Sequence, residues 1–93
     1  MANKTIAERE HMTRVAELGC IVCRNEGLGK SPATLHHYRP MGAKTDNMKV
    51  IPLCPSHHLQ QFGPDAFHFN SKSWQERFGT QEELLEQVRE MLK

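Results

Sequence analysis

Cys20-x2-Cys23 and Cys54-x2-His57 constrain the fold of this chain more than any other feature, because together they use all three of its cysteines. Two ligands separated by two residues can grip one ion from a single turn of chain. Two such pairs close a tetrahedral Cys3His site, with Zn–S near ~2.3 Å and Zn–N near ~2.0–2.1 Å. The stretch between the pairs is long enough for a two-stranded hairpin. Three cysteines cannot all pair as disulfides, and the polar, charged segment 1–10 carries no secretory signal. The thiols are therefore expected in a reducing cytoplasm, where metal ligation is their ordinary use. Buried, unliganded cysteines are the competing reading, and that reading leaves the spacing without a reason.

Composition also asks for a staple. The chain has 93 residues, enough for one domain, with 38% hydrophobic and 6% aromatic residues. Chains of this size bury a modest share of their surface and often lean on a metal. No apolar run approaches the ~20 residues of a membrane helix, so no membrane partner is expected. The net charge of +1 is no nucleic-acid signature, but its distribution is uneven. Residues 24–49 hold five basic side chains (Arg24, Lys30, Arg39, Lys44 and Lys49) against two acidic ones, Glu26 and Asp46. Residues 74–93 hold five acids against three bases. A basic middle and an acidic tail suit one phosphate-facing surface, and equally an ordinary mixed one.

Along the chain, Thr5 and Glu8 have capping-box spacing. Ile6, Met12, Val15, Ala16 and Leu18 recur at roughly helical spacing, and Gly19 offers a left-handed stop. A loop is expected over 25–32, a short strand over 33–38, a basic loop over 39–46 and a second strand over 47–53. Pro52 restricts that strand to an edge or a strand end. A short helix follows Cys54 and is broken at Gly63-Pro64. Ser71 or Ser73 can cap a brief helix through Trp74 and Phe78. Thr80 and Glu83 repeat the capping box ahead of the stripe Leu84, Leu85, Val88, Met91 and Leu92. That stripe either closes the core or joins two copies, so monomer and homodimer both stay open. Trp74 at helical spacing reads as packing rather than as a base-stacking platform, and His11 as surface.

Five of the six histidines lie between His36 and His68. His36 and His37 end the first strand, His58 follows the Cys54-x2-His57 half-site, and His68 comes after the Gly-Pro break. Neighbours on a strand point to opposite faces, so His36 and His37 share a face only if the strand ends there. Any one of these histidines alone is readable as a core or surface residue; the cluster asks for a chemical purpose.

The order Cys20-x2-Cys23, His36-His37, Asn47, Cys54-x2-His57-His58 resembles the zinc-bearing HNH nucleases, which set a ββα-metal motif between the halves of a zinc site. The stretches LGCIVC, SPATLHHYRPMG, IPLCPSHH and WQERFGTQEELLEQV are closest to the phage recombination-enhancement, recombinase-dependent branch of these enzymes. The likeness runs from Arg14 to Val88. Members of that branch can carry a long basic N-terminal arm, whereas the first helix here is expected within a few residues of Met1. Many HNH enzymes also have an acidic residue where His36 stands.

The resemblance implies an α+β fold, a small zinc-stapled, treble-clef-like ββα-metal domain with a core at about 20–68 and a helical extension at 71–93. It implies a metal-dependent DNA endonuclease of phage or prophage origin, working in the bacterial cytoplasm, with a recombinase filament as a possible partner. His37 becomes the general base, since an imidazole with a pKa near ~6.5 suits that work, and Asn47 orients it. Asn47 is also readable as a turn residue after Asp46. His58 becomes a catalytic-metal ligand with His68 and His36 as the additional candidates. Cys20, Cys23, Cys54 and His57 become the structural zinc ligands, although spacing alone leaves His57 and His58 interchangeable. Magnesium or manganese is the expected catalytic ion, with zinc or nickel retained on purification because imidazole favours them. Arg39, Lys44 and Lys49 are the candidate phosphate contacts, each also readable as a solvated charge. Such contacts position DNA without reading its sequence.

A non-catalytic zinc module that binds nucleic acid or protein explains Cys20, Cys23, Cys54 and His57 equally well. It leaves His36, His37, Asn47, His58 and His68 without a purpose. A redox role for Cys20 and Cys23 needs a thioredoxin-like βαβ pattern that the chain lacks.

Overall fold

The computed structural model describes residues 4–40 and 44–93. Helix α1, Ile6–Glu17, is opened by the expected capping box: Thr5 Oγ1 accepts from the Glu8 amide at 3.0 Å and Glu8 Oε1 from the Thr5 amide at 2.8 Å. Its inner face is Val15, flanked by Met12 and Leu18. Ile6 is 74% exposed, so the buried stripe starts later than the sequence pattern suggests. Gly19 turns the chain at φ 77°. The Cys20-x2-Cys23 segment then forms a helix of its own, α2, Ile21–Asn25, with Cys20 Sγ accepting from the Cys23 amide at 3.4 Å.

Strands β1, Thr34–His37, and β2, Val50–Leu53, pair antiparallel with Thr34 opposite Leu53 and His37 opposite Val50. Both are shorter than the sequence suggests. Asp46 explains the late start of β2: its side chain accepts from the Met48 amide at 2.8 Å and its carbonyl from the Lys49 amide at 3.0 Å. Those bonds make a turn where a strand was expected. Pro52 is tolerated because both strands of a two-stranded sheet are edges. All four residues of β2 are buried, with α1 and α2 packed against it. Part of the basic loop expected over 39–46, residues 41–43, lies outside the described residues.

Helix α3, Pro55–His58, starts with proline in its first turn, where the missing amide hydrogen costs nothing. A short 3₁₀ turn, Gln60–Phe62, leads into the loop before α4, Ser71–Phe78. The cap of α4 is Asn70, not Ser71 or Ser73: Asn70 Oδ1 accepts from the Ser73 amide at 3.1 Å. Asparagine and serine are comparable caps, so the pattern alone did not choose between them. Trp74 is 1% exposed and donates its indole N–H to the Asp65 carbonyl at 3.0 Å, as a core tryptophan does.

Helix α5, Gln81–Met91, opens with the second expected capping box and buries Leu84, Leu85 and Val88 against the rest of the chain, including β2. Its C-terminal end is held by Arg14, which donates to the Leu92 carbonyl at 2.7 Å. A cation suits the negative end of a helix. Asn25 and Gln87 exchange two amide hydrogen bonds, at 3.0 and 2.7 Å, and tie α2 to α5. The result is a small α+β fold in which the helices cover a two-stranded hairpin. Among the described residues no helix is long and apolar enough to cross a membrane.

Candidate metal centres

The first centre joins the N-terminal ends of α2 and α3. Cys20, Cys23, Cys54 and His57 bring their ligand atoms within 4.8 Å of one another. Cys23 Sγ lies 3.8 Å from Cys54 Sγ, and His57 Nδ1 lies 3.7, 3.6 and 3.1 Å from the sulfurs of Cys20, Cys23 and Cys54. A tetrahedron with the bond lengths usual for zinc has edges of about 3.8 Å between sulfurs and about 3.5 Å from sulfur to nitrogen. The observed spacings match those edges, with the Cys54–His57 edge somewhat tight. Burial pushes the Cys20 thiol up to about 12. A thiolate there is costly unless a cation shares the site, and a divalent ion supplies one. The donor set therefore fits a metal ion such as zinc.

The second centre sits between β1, α3 and the loop beyond the 3₁₀ turn. His36, His58 and His68 also bring ligand nitrogens within 4.8 Å of one another. Their ring centroids are 4.9 to 5.4 Å apart. His68 reaches the site because the chain doubles back after Gly63: the Phe67 amide bonds the His57 carbonyl at 2.8 Å and the His68 amide the His58 carbonyl at 3.2 Å. His36 and His58 are buried, while His68 is exposed and opens the cluster to solvent. The pKa of His58 is pushed down to about 4, first by burial and then by His36, His68 and His37. His36 is lowered as well, by burial foremost and against the raising effect of Gln81. Both rings are thus neutral lone-pair donors at neutral pH.

Hydrogen bonds fix which nitrogen offers the lone pair. Thr34 Oγ1 donates to the Leu53 carbonyl at 2.8 Å and lies 2.7 Å from His58 Nδ1. A hydroxyl has one proton. His58 Nδ1 must therefore carry a hydrogen and donate to Thr34, which leaves Nε2 free. His36 Nε2 lies 2.7 Å from Gln81 Oε1, so the Gln81 amide holds the other edge of that ring. Outer partners of this kind set the tautomer of metal-ligating histidines.

His37 stands one residue along β1 and bonds through Nε2 to Asn47 Oδ1 at 3.0 Å. The other end of that amide donates to Glu8 Oε2 at 3.3 Å. A carboxylate only accepts, so Asn47 must turn its oxygen to His37, and His37 carries its hydrogen on Nε2 with Nδ1 free. Glu8 is held ionised, below the usual carboxylate range, chiefly by its hydrogen bonds to Thr5 and further by Asn47. Arg39 follows β1 and Lys49 precedes β2, so the two flank the loop end of the hairpin; Arg39 and Lys44 are exposed and Lys49 is half-buried.

All the histidines singled out from the sequence thus fall into the two clusters or directly beside them. Three residues that support them had no such signal: Thr34, Gln81 and Glu8. Thr34 sits two residues before His36, but its partner His58 is distant in sequence. Gln81 comes from α5, and Glu8 was legible only as a helix cap.

Residues 4–93 match the model of a family described as recombination enhancement, RecA-dependent nuclease. The chain belongs to that family. No curated protein matches it. A nuclease hydrolyses the backbone of a nucleic acid, and among the described residues two clusters of donors, one closed and one open to solvent, could hold metal ions.

Proposed function

We propose that this nuclease is a metal-dependent DNA endonuclease of the HNH, ββα-metal type, with His37 as general base. The observation that carries the reading is the open His36, His58 and His68 cluster beside a histidine hydrogen-bonded through Nε2 to Asn47. Phosphodiester hydrolysis needs an activated water and help for the leaving 3′ oxygen. His37 Nδ1 takes the proton of the attacking water. Asn47 holds the ring so that this nitrogen, and not Nε2, is the base. His36, His58 and His68 would hold the catalytic ion, magnesium or manganese in turnover and zinc or nickel on purification. That ion supplies Lewis-acid stabilisation of the phosphate and of the leaving oxygen. Cys20, Cys23, Cys54 and His57 hold a structural zinc. Arg39, Lys44 and Lys49 grip phosphates, which gives little sequence preference and a steep loss of affinity with salt. The family's name supports DNA recombination as the setting and a recombinase filament as the partner.

The test compares wild type with His37→Ala on supercoiled plasmid and on single-stranded circular DNA. Mg²⁺ or Mn²⁺ is added, with and without a recombinase filament, and both proteins are checked for one zinc per chain. Wild type nicks, and the variant, still folded, loses about 10²- to 10⁴-fold, the usual worth of a general base. Equal activity in the two proteins removes His37 from the role. Two zinc-loaded proteins that bind DNA and never cut it point instead to a non-catalytic zinc module.

A further inference from the structure

Glu8 lies at the start of α1, far in sequence from His37, and its two carboxylate oxygens have different work. Oε1 closes the capping box by accepting from the Thr5 amide at 2.8 Å. Oε2 accepts from Asn47 Nδ2 at 3.3 Å, and Asn47 Oδ1 in turn accepts from His37 Nε2 at 3.0 Å. Asn47 alone does not settle the tautomer of His37, because an amide turned end for end presents an N–H where the oxygen was. A donor at that position requires His37 Nε2 to accept, which moves the ring hydrogen to Nδ1 and removes the free nitrogen from the side where a base is needed. Only an acceptor behind Asn47 forbids the turn, and the acceptor present is Glu8.

We propose that Glu8 is a positioning residue for the reaction, acting through Asn47 to keep the hydrogen of His37 on Nε2 and the lone pair on Nδ1. The proposal rests on His37 being the general base. The same carboxylate that caps α1 thereby ties the first helix to the loop before β2 and to the end of β1.

Glu8→Gln separates the two jobs. Glutamine serves in a capping box as glutamate does, so its carbonyl oxygen still accepts from Thr5. Its amide N–H then faces Asn47 where Oε2 stood. Asn47 turns over, its N–H faces His37, and the ring hydrogen moves to Nδ1. The experiment records the tautomer of His37 by long-range ¹H–¹⁵N NMR on labelled full-length protein, together with plasmid nicking. Thr5→Ala serves as the control: it weakens the same cap and leaves Glu8 to Asn47.

The expected result is a folded, zinc-loaded Glu8→Gln protein whose His37 has moved from the Nε2–H to the Nδ1–H form. Nicking falls on the order of 10- to 100-fold, the size found for outer partners of metal-ligating histidines, while Thr5→Ala keeps the wild-type tautomer and rate. A Glu8→Gln protein that retains Nε2–H overturns the proposal, whatever its rate. So does a moved tautomer with wild-type nicking. Should His37→Ala nick as well as wild type, the role of His37 itself falls and takes the proposal with it, and a moved tautomer then marks the hydrogen-bond relay alone.

Discussion

Thr34 has one hydroxyl proton and two neighbours within hydrogen-bond distance, the Leu53 carbonyl and His58 Nδ1. The carbonyl can only accept, so the proton goes there and His58 must donate. That placement of one hydrogen leaves Nε2 as the nitrogen of His58 with a lone pair for a metal ion. Thr34→Val keeps the shape and removes both bonds. The His58 Nδ1–H then lacks its partner, at a cost of about 1–3 kcal/mol for an unsatisfied buried group. Affinity for nickel or manganese at the histidine cluster is expected to fall about 10- to 100-fold. Calorimetric titration of protein already loaded at the Cys3His site measures it. Unchanged affinity means that the ring is oriented by packing against His36 and His68 and not by Thr34.

At the scale of elements, the junction between α1 and α2 turns on one backbone position. Gly19 has φ 77°, and a Cβ there would meet the Ser31 carbonyl oxygen at 2.9 Å, the same oxygen that accepts from the Cys20 amide at 3.0 Å. Gly27 has nearly the same φ, 74°, but open space around it. Gly27→Ala therefore carries only the left-handed penalty of about 1–2 kcal/mol. Gly19→Ala carries that penalty and a backbone collision beside a Cys3His donor, so its urea midpoint drops further. Equal midpoints dismiss the collision. The stop at Gly19 was legible in the sequence, as were both capping boxes and the stripe of α5, because each depends on residues within one or two turns of one another. The late start of β2 and the true cap of α4 were less so. There Asp46 competes with a strand, and Asn70 competes with two serines, through local hydrogen bonds of similar strength.

For the molecule as a whole, legibility follows distance along the chain. Two donors two residues apart announce themselves, and so the Cys3His set could be read from spacing. The meeting of His36 with Gln81 and of Asn47 with Glu8 depends on how α1 and α5 pack around β2, and no periodicity encodes it. The same separation orders the response to metal removal. The Cys3His donors join α2 to α3 and thus bracket the hairpin between them, in a chain whose core, among the described residues, is nine aliphatic residues with Phe67, Trp74 and the three cysteines themselves. Structural zinc sites contribute about 10–16 kcal/mol, against a total stability of about 5–15 kcal/mol for ordinary proteins. Stripping that ion should unfold the chain. The histidine cluster is different: His68 is exposed, and its ligands come from elements held together by other contacts. A weak chelator at neutral pH is therefore expected to empty the histidine cluster first and abolish nicking while the helical circular dichroism stays intact. A strong chelator should then release one zinc together with the helical signal. Loss of fold at the first step would mean that the histidine cluster holds the structural ion; a chain that stays helical after releasing all its metal would mean that the core needs no staple.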